Sequence, residues 1–329
     1  MQTRKNRTPV GATPFISFIV PVYNVADSLL RECIESILAL PLNDEQREVI
    51  VVDDGSDTPC INALSDLAGH LVYIRQKNAG LSAARNTGIR CATGQYLQFV
   101  DADDMLITRP YTFCVDAILL RGADVIMFHL TDKADVPDGK TYAPETTGAH
   151  YMLHNNLRAS ACGYLFRKDI LGSLRFTPGI LHEDEEFTPQ LLLRAGTVVE
   201  TDAQAYLYRK HEGTITTSND PEQQRRRIDD TRTVIMRMNA LTDSLPALEQ
   251  QALKRRVAQL TMDFIYKIIM ETGSMKVLNE QIDELRKQGL FPLPDKDYTK
   301  KYQWFRRMSS TTMGLRMLNR LLPLTRRKL

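Results

Sequence analysis

The first hundred residues alternate between short apolar runs and helical stretches, and each apolar run ends in a polar loop. The four runs are FISFIV from Phe15, VIVV from Val49, LVYI from Leu71 and YLQFV from Tyr96. Apolar residues at helical spacing predict helices over 28–40 and 82–91, and a short helix over 58–67. Strands alternating with helices predict an α/β fold, a mostly parallel sheet with helices on both faces. Ligands of such sheets lie at the carboxyl ends of the strands, where the polar loops fall.

The pattern continues to about residue 220 and then changes to helices alone. Further strands are predicted over 124–130, 163–166 and 198–208, with a helix over 183–193. Residues 131–147 are polar and aperiodic, which is typical of an active-site border or a disordered loop. The organisation we predict has four parts: a flexible N-terminus over 1–13, an α/β domain over 14–220, a C-terminal helical region over 221–299 and a basic amphipathic tail over 300–329. Within the C-terminal helical region we predict helices at 222–240, 246–270 and 274–287.

Composition and charge exclude several classes of protein. The chain has 329 residues, 43% hydrophobic and 25% charged, which is the globular average and excludes disorder as the main state. Its five cysteines are widely spaced without a CxxC pair, which argues against a disulfide framework or a thiolate zinc site and favours a reducing compartment. Pro14, Pro21 and Asn24 interrupt the first apolar stretch, so we expect neither a signal peptide nor a membrane helix there, and a cytoplasmic location.

The tail differs in charge from the rest of the chain. From Lys300 onward there are nine Lys and Arg residues and no acid, so the tail carries +9 and residues 1–299 carry −7, which together give the net +2. Aromatic and aliphatic residues are mixed with these bases, as in a helix that lies on an anionic membrane. We therefore predict contact with the inner face of the plasma membrane and no nucleic acid partner. A helix that packs on its own domain and an RNA-binding tail remain open.

Two acid clusters each close an apolar strand. They are Val51–Ser56 (VVDDGS) and Phe99–Asp104 (FVDADD). Carboxylates spaced D-x-D after a strand can hold a hard divalent cation, which in turn neutralises a diphosphate. The alternative is turn chemistry, since Asp side chains bond their own backbone at strand ends. Two clusters at one sheet edge favour the ligand site.

The ordered motifs of the chain resemble those of family 2 glycosyltransferases. The likeness covers about residues 14–218 and is carried by FISFIVPVYN, EVIVVDDGSDT, NAGLSAARNTG from Asn78, and GQYLQFVDADD. The resemblance implies a GT-A fold (Rossmann-like), a nucleotide-sugar donor, with a UDP-sugar expected, and a divalent cation, Mn²⁺ or Mg²⁺. It also implies transfer to a glycan or lipid-linked acceptor, with bacterial surface polysaccharide biosynthesis as the expected setting.

The same resemblance assigns roles at the donor site. Pro21 and Tyr23 would line the nucleotide pocket, and Asp54, together with Asp53, would bond the edge of the base. These residues are followed by a second group near the diphosphate and metal: Gly80 and Arg85 bordering the donor, Asp103 binding the metal, Asp101 reaching the metal, a bound water or the ribose, and His211 near the diphosphate.

A Glu-Asp pair at residues 183–184 occupies the place of the family's acceptor-side acids. Asp184 then resembles the general base, and Glu183 a neighbour that positions it or the acceptor. A sugar hydroxyl is a poor nucleophile, so a carboxylate must take its proton as it attacks the anomeric carbon. One base and one displacement invert the anomeric configuration, without the second catalytic acid of glycosidases.

Two other functions remain open at this stage. A nucleotidyltransferase would share a similar fold and D-x-D acids but should carry a Gly-rich basic loop after the first strand, where this chain has PVYNVADS. A catalytically inactive nucleotide-sugar-binding scaffold would be expected to lose Asp103 or Asp184, and both are present.

Overall fold

A computed structural model describes residues 13–209 and 221–325 of the chain. They form two compact units. The first contains residues 13–151 and 158–209, and the second contains residues 152–157 and 221–325. The short stretch 152–157 belongs to the second unit, although the sequence alone places it inside the α/β domain.

The first unit is built on one mixed sheet of eight strands within the described residues. The strands are β1 Ile16–Val22, β2 Arg47–Asp53, β3 Leu71–Arg75, β4 Tyr96–Phe99, β5 Met105–Leu106, β6 Val125–Thr131, β7 Tyr164–Arg167 and β8 Val198–Leu207. Their order in the sheet is β3-β2-β1-β4-β7-β6-β8-β5. The first four in this order are mutually parallel, β7 and β5 run antiparallel to their neighbours, and β6 pairs with β8 in parallel.

Both faces of the central strands are covered. Every residue of β1 is buried, from Ile16 to Val22, and the last five residues of β2 are buried as well. Because successive side chains of a strand point to opposite faces, a fully buried strand requires a layer on each side. The predicted α/β sheet with helices on both faces is confirmed.

Most of the α-helices in residues 13–209 and 221–325 lie where the sequence predicts them. They are α1 Asp27–Leu38, α2 Leu81–Cys91, α3 Thr108–Arg121, α4 Gly148–His154, α5 Glu183–Leu192, α6 Pro221–Leu241, α7 Ala247–Thr272, α8 Met275–Lys287, α9 Lys300–Ser309 and α10 Thr312–Thr325. The predicted short helix near residue 60 is a 3-10 helix over Cys60–Leu64.

Two helices and one strand have no counterpart in the sequence prediction. The sequence of α3 is rich in Thr, Tyr, Phe and Val, which are weak helix formers, so its buried face at Tyr111, Cys114, Val115 and Ile118 does not stand out. α4 lies just beyond the polar stretch 131–147, and β5 is only two residues long, too short for a periodic signal.

The second unit is helical, and its last two helices pack within it. α9 buries Tyr302 and Phe305, and α10 buries Leu315 and Leu318, while both helices contact α7. α9 begins with a capped turn, since the side chain of Thr299 accepts a hydrogen bond from the Tyr302 amide at 3.0 Å. The tail, residues 300–325 as described, therefore packs on its own domain, which is one of the alternatives that the sequence left open. Within residues 13–209 and 221–325, no helix is both long and apolar enough to cross a bilayer.

Candidate active site

Four polar loops meet at one edge of the sheet. β1, β2, β3 and β4 are parallel, so their carboxyl ends lie at the same edge, and each is followed by a loop. The backbone amide of Asn24, after β1, donates to the Ser56 hydroxyl after β2 at 3.0 Å. The amide of Gln76, after β3, donates to the Asp53 carbonyl at 2.9 Å. These cross-links between loops make the edge a single structured surface.

Asp53 is the internal anchor of the loop after β2. Its carboxylate is fully buried and accepts hydrogen bonds from the Tyr73 hydroxyl at 2.6 Å and the Ser56 amide at 2.8 Å, and it pairs with Arg75 at 3.3 Å. Burial acts to raise the pKa of Asp53, but the hydrogen bonds from Tyr73 and Ser56 outweigh it and hold the pKa below its ordinary value. Asp53 thus remains a carboxylate that fixes the loop, and any bond of its side chain to a base stays a prediction.

Asp54 ties the loop after β3 to the loop after β2. Its two carboxylate oxygens accept hydrogen bonds from the Gln76 side chain at 2.6 Å, the Ala79 amide at 3.0 Å and the Gly80 amide at 2.7 Å. Gly80 has a φ of +88°, a conformation that side chains with a Cβ rarely adopt, and it immediately precedes α2. Asp54 and Gly80, which are both predicted to lie at the nucleotide-sugar site, are therefore in direct contact.

Pro21 and Tyr23 lie at the end of β1. Pro21 is buried in the strand, in register with Val52 of β2, whereas the Tyr23 side chain is 52% exposed. An exposed aromatic ring at the carboxyl edge is available to stack on a base. The stacking role of Tyr23 remains a prediction.

The D-x-D loop after β4 is held from beneath by β8. The hydroxyl of Tyr206 accepts a hydrogen bond from the Asp101 amide at 3.0 Å and donates to the Asp104 carboxylate at 2.8 Å. The amide of Arg209 donates to the other oxygen of Asp104 at 2.8 Å, and its guanidinium bonds the Asp103 carbonyl and Glu32. Burial raises the pKa of Asp104 to about 7. Asp104 is therefore a support of the loop rather than an exposed ligand.

Arg85 joins the D-x-D loop to the start of α5. Its guanidinium donates to Asp101 at 2.9 Å and to Glu183 at 2.6 Å, and only 4% of its side chain is exposed. Both terminal nitrogens are thus engaged by carboxylates, and the predicted fork to a diphosphate is turned toward two acids in this structure. The guanidinium carbon lies 5.3 Å from the centroid of the Phe176 ring and 5.8 Å from that of Phe99.

An aromatic cluster forms the floor below these charges. Phe176 and Phe187 stack with ring centroids 3.8 Å apart and planes 10° apart, and Phe99 meets both edge-on. The segment that carries Phe176 is clamped to α2, because the Asn86 side chain and the Phe176 backbone exchange two hydrogen bonds at 2.8 and 2.9 Å. A dry aromatic floor strengthens the electrostatic interactions of Arg85 and Glu183 above it.

Asp184 lies in the first turn of α5, beside Glu183. The chain enters this helix through His182 at a φ of +64°, which is uncommon for a residue other than glycine. Burial raises the pKa of Asp184 well above its ordinary value, the carboxylates of Glu183 and Glu185 raise it further, and Arg85 lowers it. A carboxylate whose charge is destabilised in this way is a stronger base than an exposed aspartate.

The two predicted metal ligands offer a partial coordination shell. Asp101 and Asp103 are both partly exposed at the carboxyl edge. The described part of the chain holds no cluster of three or more His, Cys, Asp or Glu side chains that could bind a metal. Two carboxylates nevertheless fit Mg²⁺ or Mn²⁺, since such ions in nucleotide sites take one or two carboxylates and complete their shell with water and phosphate oxygens. His211 lies outside the described residues.

Tyr206, Arg209 and the Phe176–Phe187 stack are contributors that sequence reasoning did not identify. The hydroxyl of Tyr206 reaches Asp104 across 102 residues of sequence, and no local pattern indicates such a pairing. Arg209 lies two residues before His211, but no role is predicted for Arg209 itself from the sequence. To predict the Phe176–Phe187 stack, one would have to know that residues 172–179 fold back against α2.

Comparison with known proteins identifies relatives of the first unit and of the fold. Residues 17–174 match the model of Glycosyl transferase family 2. Glycosyltransferase GlyA of Streptococcus pneumoniae is 30% identical over 219 residues, which cover 61% of this chain and 31% of that relative. The chain therefore spans about a third of the length of that relative.

Two solved structures share the fold at low sequence identity. S. aureus TarS, residues 1–349 in complex with UDP-GlcNAc, superposes with a TM-score of 0.56 at 19% identity, covering 95% of this chain and 92% of that one. A mannosyltransferase, PcManGT from Pyrobaculum calidifontis in complex with GDP-Man and Mn²⁺, gives a TM-score of 0.57 at 16% identity, covering 94% and 87%. These structures show the fold, and the family match places residues 17–174 of the chain in the family 2 glycosyltransferases.

Proposed function

We propose that the chain is an inverting glycosyltransferase that moves a sugar from a nucleotide-diphosphate donor to an acceptor hydroxyl, with Asp184 as the general base. The observation that carries the proposal is the Arg85 bridge, which sets Asp101 of the D-x-D loop and Glu183, the neighbour of Asp184, around one cation. Donor-side and acceptor-side acids of the family pattern therefore belong to one connected cluster.

The donor site we propose is the carboxyl edge between β1 and β4. Tyr23 stacks on the base and Pro21 lines the pocket, while Asp54, supported by Asp53, faces the edge of the base, and Gly80 lets the backbone approach the donor. The donor is a UDP-sugar. A nucleotide-sugar donor is supported by the UDP-GlcNAc bound to TarS and the GDP-Man bound to PcManGT, which share the fold, and the choice of a UDP-sugar follows TarS and the resemblance of the motifs.

Asp101 and Asp103 would hold a divalent cation, Mn²⁺ or Mg²⁺. The ion would neutralise the charge that develops on the leaving diphosphate. The Mn²⁺ in PcManGT supports this assignment. Tyr206 fixes the loop by its bonds to Asp101 and Asp104, so the carboxylates are oriented before any ligand arrives. His211 is proposed as a diphosphate contact on the resemblance alone.

Asp184 takes the proton of the acceptor hydroxyl as that oxygen forms a bond to the anomeric carbon. The bond from the anomeric carbon to the diphosphate oxygen breaks on the opposite face, and the diphosphate leaves with the electron pair. The configuration inverts, and the proton ends on Asp184. Glu183 is held against Arg85 and positions the first turn of α5.

The acceptor we propose is a glycan or a lipid-linked sugar, in bacterial surface polysaccharide assembly on the cytoplasmic side of the plasma membrane. This setting rests on the resemblance of the motifs. The proposal predicts that the acceptor hydroxyl contacts Asp184 and not the loops after β1 and β2, which we assign to the nucleotide.

The direct test is Asp184→Asn, assayed by release of nucleoside diphosphate from UDP-sugars and GDP-sugars with water or a panel of glycans as acceptor. We expect release to fall by at least about a hundredfold, the lower range for loss of a general base, with donor affinity nearly unchanged. Glu185→Gln, in the same helical turn, is the matched control and should retain release. Full activity of Asp184→Asn would overturn the base assignment.

The same assay separates the alternatives. A nucleotidyltransferase would instead release pyrophosphate from a nucleoside triphosphate and a sugar phosphate. An inactive scaffold would bind a nucleotide sugar and release nothing from it with any acceptor.

A further inference from the structure

The last two helices expose large apolar side chains on the face opposite the one they bury. In α9 Trp304 is 51% exposed, although its neighbour Phe305 is only 1% exposed. In α10 the exposed fractions are 74% for Met313, 43% for Met317 and 51% for Leu321. These four residues are called the apolar stripe. Such a set of large exposed side chains usually marks an interaction surface.

The stripe is continuous along α10 and bordered by bases. Met313, Met317 and Leu321 follow one another at four-residue spacing, which advances only about 40° around a helix per step. Arg316 and Arg320 lie on the adjacent row, about 60–100° away, on the side that faces solvent. In α9 the exposed Lys300 and Arg307 lie one turn before and one turn after Trp304, on the same face of the helix. Each of the two helices thus carries exposed apolar groups with cations beside them.

The cations of this surface are available for a ligand. Lys301 and Arg306 are paired with Asp263 and Asp295. In contrast, Lys300, Arg307, Arg316 and Arg320 have no ion-pair partner among residues 13–209 and 221–325. No acid occurs anywhere from Lys300 onward. Four unpaired positive charges next to an apolar stripe call for a partner that is both anionic and apolar.

We infer that α9 and α10 bind the surface of an anionic lipid bilayer, with the apolar stripe inserted at the boundary of headgroups and acyl chains and the four cations against lipid phosphates. Interfacial helices combine these two features. Three of the four stripe residues are aliphatic, which suits acyl chains better than the base stacking by which proteins hold single-stranded RNA. A symmetric pair of two copies would place these cations against each other without an acid to offset them. Neither the donor site nor the transferase chemistry enters this inference.

The first experiment is sedimentation of the full chain with vesicles of phosphatidylcholine alone and of phosphatidylcholine mixed with phosphatidylglycerol. We expect binding to the mixed vesicles, with little binding to neutral ones, and weaker binding as salt increases. Absence of binding to the phosphatidylglycerol vesicles would overturn the inference. Loss of binding with intact nucleotide-sugar transfer would leave the proposed function standing.

Two sets of substitutions test the two halves of the surface. The charge variant carries Lys300→Gln, Arg307→Gln, Arg316→Gln and Arg320→Gln, and the partition coefficient on mixed vesicles should fall at least about tenfold, since each exposed base near an anionic surface contributes appreciably. The stripe variant carries Trp304→Ser, Met313→Ser, Met317→Ser and Leu321→Ser and should lose binding even at low salt. Equal binding of either variant and wild type would contradict the inference.

The matched control changes exposed apolar residues elsewhere. Leu119→Ser and Leu120→Ser on α3 remove side chains that are 66% and 75% exposed, and vesicle binding should stay at the wild-type level. Circular dichroism should show wild-type helix content for all variants, because every substituted side chain is exposed. Two other results would assign the surface to another partner. One is that the wild type does not bind vesicles but shifts RNA in a gel, and that the charge variant loses this shift. The other is that the wild type forms a dimer that only the stripe variant loses.

Discussion

Arg85 donates a 2.6 Å hydrogen bond to Glu183 across 98 residues of sequence, and the pair is almost fully buried. The same guanidinium holds Asp101 at 2.9 Å. The position of the D-x-D loop relative to α5 therefore depends on one cation, whose two-pronged shape a lysine cannot reproduce.

Replacement of Arg85 should cost both stability and activity. Arg85→Met leaves the buried Glu183 without its partner, so we expect the free energy of unfolding to fall by about 3–5 kcal/mol. The double variant with Glu183→Met should recover part of this loss, because no unpaired charge remains. Urea unfolding of the two single variants and the double variant measures the coupling. Arg90→Lys, on the exposed side of α2, is the control and should change stability by less than about 0.5 kcal/mol. Additive losses would mean that the bridge does not couple the two elements.

The rate of transfer should depend on the ionisation of Asp184. A general base acts only when deprotonated, and the pKa of Asp184 is raised by burial and by Glu183 and Glu185. The acid limb of the kcat profile should therefore lie well above pH 4, the ordinary value of an aspartate. Glu185→Gln removes one of the charges that raise the pKa, so its limb should move to lower pH. If the acid limb of Glu185→Gln lay at the same pH as that of the wild type, the titrating group would not be Asp184.

Ionisation of Asp184 should lower the stability of the metal-free protein as pH rises. The folded pKa of Asp184 lies above its unfolded value of about 3.9, so its protonation stabilises the folded state fully below that value, and this contribution is lost as pH rises through the folded pKa. Asp184→Asn cannot ionise and should show a smaller decrease. Urea unfolding at about pH 5 and about pH 9 with chelator measures the difference. Identical decreases in the two proteins would contradict the raised pKa.

Tyr206 should matter more for donor binding than its distance from solvent suggests. Tyr206→Phe leaves the buried Asp104 with one donor fewer, at a cost of about 1–3 kcal/mol in stability, and it frees the Asp101 amide. Because the D-x-D loop loses its support, KM for the donor should rise. Tyr96→Phe, which removes a hydroxyl bonded to the Ala123 carbonyl, is the control for a lost buried hydrogen bond. Equal KM values for the two variants would reduce Tyr206 to a purely structural residue.

Two glycines at the carboxyl edge should respond differently to alanine. A Cβ at Gly55 would lie 2.8 Å from the Asn78 amide nitrogen, whereas a Cβ at Gly80 would meet no atom within 4 Å. Both residues have a positive φ, so each substitution carries strain of about 1–3 kcal/mol. Gly55→Ala should be the more destabilising by urea unfolding, and Gly69→Ala should be nearly neutral. A larger loss at Gly80 would contradict the described geometry of these loops.

The sequence predicted the sheet and its polar edge because strand and helix periods are local signals. The runs that became β1 to β4 and the loops after them could be read residue by residue. α3 was missed because its buried face is made largely of weak helix formers such as Tyr111, Cys114 and Val115. A helix can be recognised from its sequence when apolar residues recur at helical spacing and the opposite face is clearly polar. In α3 the two faces differ little in this respect.

The candidate residues could be predicted, but their contacts could not. Asp53, Asp54, Asp101 and Arg85 all lie at the expected edge, yet the structure shows that Asp53 holds Tyr73 and that Arg85 holds two acids. Such bonds join residues that are distant in sequence, and a single sequence contains no signal for them. The tail shows the same limit, since its amphipathic character did not reveal which face packs on α7.

The central claim is that the carboxyl edge of this sheet binds a nucleotide sugar with the help of a divalent cation. The measurement that tests it most directly is the melting temperature of wild type and Asp103→Ala with UDP-GlcNAc, other UDP-sugars and GDP-mannose, each with Mn²⁺ or with chelator, since a ligand that binds only the folded state raises apparent stability. We predict an increase for one nucleotide sugar that requires Mn²⁺ in wild type and is absent in Asp103→Ala. No increase with any nucleotide sugar, with or without Mn²⁺, would contradict the account.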